Sequence, residues 1–250
     1  MKFHFKKHFG QNFLRNKNII WKIVNSIPKK YDEIYEIGPG QGALTQFLLG
    51  RFAKVIAIEI DQDCVKILSE KFIDFSNLEI ISADVLKYDF APNSVIIGNL
   101  PYNIGTKIIE NFLHNPIDFG VFMLQKEVAQ RMSGVDFCRL SVLIQSVYDV
   151  KKITDVSPED FVPKPKVHSQ VISLQKHCKF VDVDLERLKK MTSVVFQNPR
   201  KKLSALKKSN LAILAELEKF GVDLNLRPEK IPKEIFYKIC TKNAEKMEDY

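Results

Sequence analysis

The chain of 250 residues carries a net charge of +8, with 45% hydrophobic and 27% charged residues. This composition is typical of a globular protein with a packed core, and the length allows one large domain or a larger and a smaller one. No apolar run approaches the roughly 18 residues that a membrane-spanning helix needs, which argues against a membrane protein.

The amino terminus and the cysteines both favour a cytoplasmic protein. The first 17 residues are basic but lack the apolar core of a secretory signal. A mitochondrial transit peptide is the weaker alternative, because this stretch has one arginine and no serine. The cysteines are far apart and form no CxxC pair, so we expect free thiols, no disulfide framework and no metal site.

Short β-rich runs alternate with helical stretches from Glu33 to about Gln175. In chain order these are EIYEIG, helical ALTQFLLGRF, KVIAIEI, helical QDCVKILSEKF, LEIISAD, SVIIGNL, helical TKIIENFLH and FGVFML. This alternation predicts an α/β fold, a Rossmann-like parallel sheet with helices on both faces. The runs KKITDVS and SQVISLQ predict two late strands, which we interpret as an antiparallel hairpin at one edge.

The pattern becomes helical after about residue 180. The runs LERLKKMTSVVF, NLAILAELEKFG and PKEIFYKICTK have helical spacing, with Gly221 and Pro228 as breaks. We therefore predict two domains, a ligand-binding domain with a basic amino-terminal arm over 1–178 and a small helical domain over 179–250.

The charge is unevenly distributed along the chain. Residues 1–30 contain eight Lys and Arg and no acid, and 187–210 contain eight more and again no acid. Solvated surfaces usually mix signs, so two acid-free basic stretches favour a polyanionic partner. Several phenylalanines interleave the first stretch and could stack on unpaired bases. The alternative is an ordinary basic surface with those rings buried beneath it.

Three successive strand ends carry features of a nucleoside site. Gly38, Gly40 and Gly42 in EIGPGQGALT lie between a strand and a helix, where bare backbone can approach a ligand. Glu59 ends the second strand and could accept two hydrogen bonds from ribose hydroxyls, worth about 1.5–3 kcal/mol each. Asp84 ends the third strand, where it could accept a bond from an adenine amino group or cap the following helical turn.

The fourth strand ends in NLPY, residues 99–102. An exocyclic amine on adenine is a poor nucleophile because its lone pair is delocalised into the ring. The Asn99 side-chain oxygen and a backbone carbonyl near Pro101 can each accept one of its N–H groups, directing the lone pair at an electrophile, while Tyr102 can stack on the base. A simple turn is the alternative interpretation.

The motifs EIGPGQGALT, IEID, SAD and NLPY, in this order, resemble those of the S-adenosylmethionine-dependent N6-adenine methyltransferases. The segments HFGQNFL, NLPYNIGTKII, LQKEVAQRM, RLSVLIQ, FVPKPKVHSQV and VFQNPRKKL together resemble the KsgA (RsmA) family. The resemblance runs from about His8 to Lys238. It implies a class I methyltransferase that dimethylates two adjacent adenines in the 3′-terminal hairpin of 16S ribosomal RNA, with a role in 30S subunit biogenesis.

The resemblance also implies the site residues. Contacts with the cofactor S-adenosyl-L-methionine fall on Asn12, Leu14, Gly38, Glu59, Asp84 and Asn99. The acceptor site comprises Asn99, Leu100, Pro101 and Tyr102, and Phe161 would stack on the other face of the base. The expected partner is 16S ribosomal RNA in an immature 30S particle, bound by a monomer. This sequence departs from the family at Pro199 and at Cys138, in a segment shorter than expected.

Rival functions remain open from the sequence. An Erm-type enzyme would modify an adenine of large-subunit RNA, and FVPKPKVHS is compatible with both. A non-catalytic RNA-binding assembly factor on the same fold has no need of an intact NLPY. An NAD-dependent oxidoreductase is disfavoured by the GxGxG spacing and by the absence of a histidine near the strand ends.

Overall fold

The computed structural model describes residues 12–206 and 210–242. The strands are β1 Phe13–Leu14, β2 Glu33–Ile37, β3 Lys54–Glu59, β4 Leu78–Ser82, β5 Val95–Asn99, β6 Phe119–Gln125, β7 Tyr148–Val156, β8 Phe161–Val162 and β9 Ser169–Lys176. The helices are α1 Lys17–Asn25, α2 Thr45–Leu48, α3 Gln62–Lys71, α4 Gly105–Asn111, α5 Lys126–Ser133, α6 Arg139–Gln145, α7 Leu185–Val195, α8 Leu211–Lys219 and α9 Lys233–Ile239.

Seven strands form one sheet in the order β4-β3-β2-β5-β6-β9-β7. The first five are parallel to one another, and β9 runs antiparallel to β6. The predicted α/β fold with a parallel sheet is confirmed. The two late strands are neighbours at one edge, but they are not a simple hairpin, because β8 lies between them in sequence and pairs with β1 in a separate two-stranded sheet.

The strand order determines where helices and a ligand can lie. The chain moves outward from β2 to β4, then returns to β5 and continues in the opposite direction to β6. Right-handed crossovers therefore place α2 and α3 on one face of the sheet and α4 on the other. The order reverses between β2 and β5, so a crevice forms at the carboxyl ends of these strands.

A continuous apolar core holds α1, α2 and α3 against this sheet. The strands read as near-continuous apolar runs because parallel strands are covered on both faces. Fully or almost fully buried members of the core come from each of these elements: Ile20, Ile23, Ile34, Leu48, Val55, Leu68, Ile97 and Val121.

The described residues divide into two compact units. One contains 12–129 and 149–176, and the other contains 130–148, 177–206 and 210–242. In the second unit the Tyr237 hydroxyl donates to the Val142 carbonyl at 2.8 Å, and its pKa is raised by burial. The assignment of a catalytic domain to 1–178 and an RNA-docking domain to 179–250 stays a prediction.

Cys138 lies at the amino-terminal cap of α6, with φ −157°. Any residue adopts this extended backbone, so a cysteine here costs no strain. Across the described ranges no helix combines the length and hydrophobicity that crossing a bilayer requires.

Candidate active site

The carboxyl ends of β2, β3 and β5 border a cavity of about 310 Å³. This is the lower end of the size range of small-molecule sites. Nine of the ten residues predicted from the sequence line it, namely Asn12, Leu14, Gly38, Glu59, Asp84, Asn99, Leu100, Pro101 and Tyr102. The structure therefore brings together residues that are up to 90 positions apart in the chain.

Two glycines of the loop after β2 serve different purposes. Gly38 and Gly40 have φ of +63° and +58°, a conformation that side chains disfavour. Apart from its two chain neighbours, no atom of the described residues lies within 4 Å of the position that a Cβ on Gly38 would take, so a ligand can approach the backbone there. A Cβ on Gly40 would lie 2.5 Å from Cε1 of Phe13, so glycine at this position lets β1 pack against the loop.

Glu59 is a buried carboxylate that holds the surrounding backbone. Its Oε2 accepts from the Gly40 N–H at 3.0 Å, and its Oε1 accepts from the N–H groups of Ile60 and Asp61, both at 2.9 Å. Burial raises the pKa of Glu59, and the three N–H bonds oppose that shift. A carboxylate has about four acceptor positions, so about one remains for a ligand rather than the two predicted for ribose.

Asp84 caps the turn that follows it, one of its two predicted roles, and it also remains available to the cavity. Its Oδ1 accepts from the Leu86 N–H at 3.0 Å and caps the short 3₁₀ turn Val85–Lys87. The residue also lines the cavity. A contact between Asp84 and an adenine amino group stays a prediction.

The Asn99 amide is oriented by a distant backbone group. Its Nδ2 donates to the Asn12 carbonyl at 2.8 Å, which leaves Oδ1 as the acceptor. The Pro101 carbonyl is occupied, because it accepts from the N–H groups of Ile104 at 3.2 Å and Gly105 at 2.8 Å. The Leu100 carbonyl accepts no hydrogen bond from any of the described residues. The backbone acceptor predicted near Pro101 is therefore best assigned to Leu100.

Tyr102 is fixed at its hydroxyl end. The hydroxyl lies 2.6 Å from Ser169 Oγ, a buried group at the start of β9. Burial raises the pKa of Tyr102, and the hydrogen bond to Ser169 opposes this shift with a smaller effect. A ring held at its far end loses little conformational freedom when a base stacks on it.

Phe161 is the exception among the predicted residues. It pairs with Leu14 between β8 and β1, has 2% of its surface exposed and belongs to the apolar core. It is not among the residues that line the cavity. A stacking contact between Phe161 and the target base stays a prediction, and it requires the ring to leave the core.

Glu36 and Ile60 are among the cavity-lining residues that sequence reasoning missed. Glu36 is 1% exposed, and burial raises its pKa to about 8 although Thr45 Oγ1 donates to it at 2.6 Å. A glutamate inside a buried strand was the available signal. Ile60 is 49% exposed directly after Glu59, and an apolar side chain beside a carboxylate at a strand end offers a flat surface for a base.

The sheet topology and the position of the cavity define this protein as a class I methyltransferase. Two solved structures share the fold over 91% of this chain. A dimethyladenosine transferase from Plasmodium falciparum is 26% identical with a TM-score of 0.80, and 95% of that chain is covered. The 23S rRNA methyltransferase ErmE is also 26% identical, with a TM-score of 0.69 and 99% of that chain covered.

Sequence comparison narrows the class to a family. A family model described as ribosomal RNA adenine dimethylase matches residues 2–245, and the chain belongs to this family. A ribosomal RNA small subunit methyltransferase A from Pseudomonas fluorescens is 39% identical, over 96% of this chain and 94% of that protein. The protein of the same name from Sulfurihydrogenibium is 38% identical, over 94% of both.

The cavity fits the S-adenosylmethionine-type methyl donor that this class and family imply. Ile60, Val85 and Leu86 supply apolar lining, which suits the faces of a purine. Glu59 and Asp84 supply carboxylates at neighbouring strand ends, which suits hydroxyl and amino groups. Among the described residues no cluster of His, Cys, Asp or Glu is arranged to hold a metal ion.

Proposed function

We propose that this protein uses S-adenosyl-L-methionine to dimethylate N6 of two adjacent adenines in the 3′-terminal hairpin of 16S ribosomal RNA. We further propose that it acts as a monomer on an immature 30S particle in the cytoplasm. Family membership and the names of relatives that cover most of the chain support this substrate.

One observation carries the chemical part of the proposal. Asn99 Oδ1 and the Leu100 carbonyl belong to consecutive residues that both line the cavity, and neither accepts a hydrogen bond from the described residues. Leu100 is buried and Asn99 is half-buried. A buried backbone carbonyl seldom lacks a partner, so the Leu100 carbonyl beside Asn99 Oδ1 suits a ligand with two N–H groups on one nitrogen. The N6 amine of adenine is such a ligand.

Each residue then has a defined task. Asn99 Oδ1 and the Leu100 carbonyl accept the two amine protons, which favours a pyramidal nitrogen with its lone pair directed into the cavity. Tyr102 stacks on the extruded base. Glu59, Asp84 and the loop at Gly38 hold the cofactor, which when bound supplies an electrophilic methyl group on a sulfonium.

The test is methylation of small and large ribosomal subunits, assayed separately, from cells that lack the modification. Purified protein and methyl-labelled S-adenosylmethionine are added, and modified nucleosides are mapped by mass spectrometry of RNA fragments. We expect two neighbouring dimethyladenines near the 3′ end of 16S RNA. Methylation confined to large-subunit RNA would indicate the Erm-type function instead. Binding without methyl transfer would indicate an assembly factor.

The basic stretches give a separate prediction about RNA docking. Arg200, Lys201 and Lys202 are exposed, whereas Lys6 and Lys7 lie outside the described residues. Reversing Arg200, Lys201 and Lys202 to Glu should flatten the dependence of log affinity for RNA on log salt. The slope should fall by roughly 0.7–0.9 for each phosphate that the variant no longer binds. Cofactor affinity should be unchanged.

A matched control uses one lysine outside these stretches. Lys66 is exposed on α3 between Asp63 and Glu70, where charges of both signs mix. Lys66→Glu should leave the salt slope unchanged, while Lys201→Glu alone should reduce it. Equal slopes for these two variants would mean that the basic stretch is an ordinary solvated surface.

A further inference from the structure

The outer face of α1 has an unusual composition. Ile19, Ile20, Ile23 and Val24 are buried, while the exposed positions are Lys17, Asn18, Trp21, Lys22 and Asn25. Trp21 is the only tryptophan in the protein and is 52% exposed. Single exposed apolar residues are common, but an exposed indole between two lysines is a typical surface for unpaired nucleic acid.

Trp21 lies at a surface groove of about 1010 Å³. Its ring meets Phe47 edge to face, with centroids 5.6 Å apart and planes at 74°. The groove is also lined by Arg51, whose guanidinium donates to the carbonyls of Val24 and Ile27 at the end of α1. These contacts hold the helix and the indole in place, so a ligand meets a preformed surface.

The charge around the groove is suited to phosphate. Residues 12–30 contain five Lys and Arg and no acid. Within the described part of the chain, Lys17, Lys22 and Lys29 form no ion pair or side-chain hydrogen bond, whereas Lys30 lies 3.6 Å from Asp118. Of the described residues that line the groove, Asp32 alone is acidic.

Trp21 is close to the candidate active site along the chain, whereas the groove extends to Asp32 and Arg51, which precede β2 and β3 at the amino ends of the strands. Leu14 lines the cavity, and α1 begins at Lys17, only three residues later. At 1.5 Å per residue, Trp21 lies about 6 Å along the helix axis from Lys17. The junction is fixed by Asn16, whose side chain donates to Asp160 at 2.7 Å. A strand with one base in the cavity can therefore reach α1.

We propose that an unpaired base of the substrate RNA, a few nucleotides from the target adenine, stacks on Trp21 while Lys17 and Lys22 bind neighbouring phosphates. The inference rests on the proposed function in one respect, that RNA is the substrate. It adds a second contact site on the catalytic unit, which raises affinity for single-stranded flanks without taking part in methyl transfer.

The sole tryptophan makes the test direct. Titration with a short oligouridylate, which has no methylatable adenine, should quench the fluorescence of Trp21, and salt should reverse the effect. Trp21→Ala should weaken oligouridylate binding by about 5- to 150-fold, the loss expected for one stacked base. Trp21→Phe should retain much of the affinity. Trp21→Leu, which keeps an apolar contact with Phe47, should behave like Trp21→Ala if stacking is responsible.

Charge and activity controls separate this inference from the proposed function. Lys22→Gln should weaken RNA binding more than Lys66→Gln, which also removes one exposed helix charge. With ribosomal substrate, Trp21→Ala should raise KM and leave kcat unchanged. Two results together would overturn the inference even if methylation proceeds: no quenching of the wild-type protein by oligouridylate, and unchanged RNA affinity in Trp21→Ala.

Two other outcomes are informative. Quenching by RNA and weaker binding by Trp21→Ala, in a protein that methylates no RNA, would leave the inference standing and overturn the proposed function. A fluorescence change that depends on protein concentration without RNA, together with a dimer in sedimentation, would mean that a second copy covers the groove. That result would overturn the inference.

Discussion

Replacing Asn99 with alanine should lower the rate of methyl transfer by about 10²- to 10³-fold, the usual effect of losing one preorganised transition-state hydrogen bond. The fold should survive, because the body of β5 is untouched and the substitution removes a single hydrogen bond, the one to the Asn12 carbonyl. The measurement is a single-turnover rate at saturating cofactor and RNA. Monomethyladenine should accumulate, because the second transfer needs an amine that is still correctly directed.

Two comparisons make the Asn99 result specific. Asn111→Ala removes an exposed amide from α4 and should leave the rate unchanged. Tyr102→Ala should instead weaken capture of the base by about 1–3 kcal/mol, while Tyr102→Phe keeps the ring and loses only its bond to Ser169. If Asn99→Ala matches the wild-type rate, then NLPY is a turn and the proposed mechanism is wrong.

Glu59→Ala should weaken S-adenosylmethionine binding by about 2 kcal/mol or more, roughly 30-fold. The structure supplies two reasons. The carboxylate has an acceptor position left for a ribose hydroxyl, and its bond to the Gly40 N–H ties the glycine loop to the end of β3, where it also accepts from the Ile60 and Asp61 N–H groups. Calorimetry with the folded variant measures the effect. Glu79→Ala, which removes an exposed acid paired with Lys54 at 3.2 Å, is the control and should bind normally.

A deoxyribose analogue separates the two contributions of Glu59. If the carboxylate contacts the ribose, wild-type protein should prefer S-adenosylhomocysteine over its 2′-deoxy analogue, and Glu59→Ala should lose that preference. Equal loss of affinity for both ligands would show that Glu59 acts only through the loop. Unchanged affinity for S-adenosylmethionine would remove Glu59 from the site altogether.

The sequence was sufficient for the fold and for most of the candidate site. Alternating β-rich and helical runs predict a parallel sheet, and carboxyl ends of parallel strands meet at one edge. Gly38, Glu59, Asp84 and Asn99 each end or follow such a strand, so their convergence on one cavity follows from local pattern alone. Asn12 and Leu14, by contrast, were identified only through resemblance to a family.

Only the tertiary structure decided which groups remain available to a ligand. Pairing of β1 with β8 places Phe161 in the core. The N–H groups at the start of α4 bind the Pro101 carbonyl, so the Leu100 carbonyl is the one available to a ligand. The Gly40 and Asp61 N–H groups use acceptor positions of Glu59 that the sequence assigns to ribose. Local hydrophobic periodicity is enough to locate the end of a strand. Whether an oxygen at that end is already hydrogen-bonded depends on segments far apart in the chain, and the sequence pattern does not show these contacts.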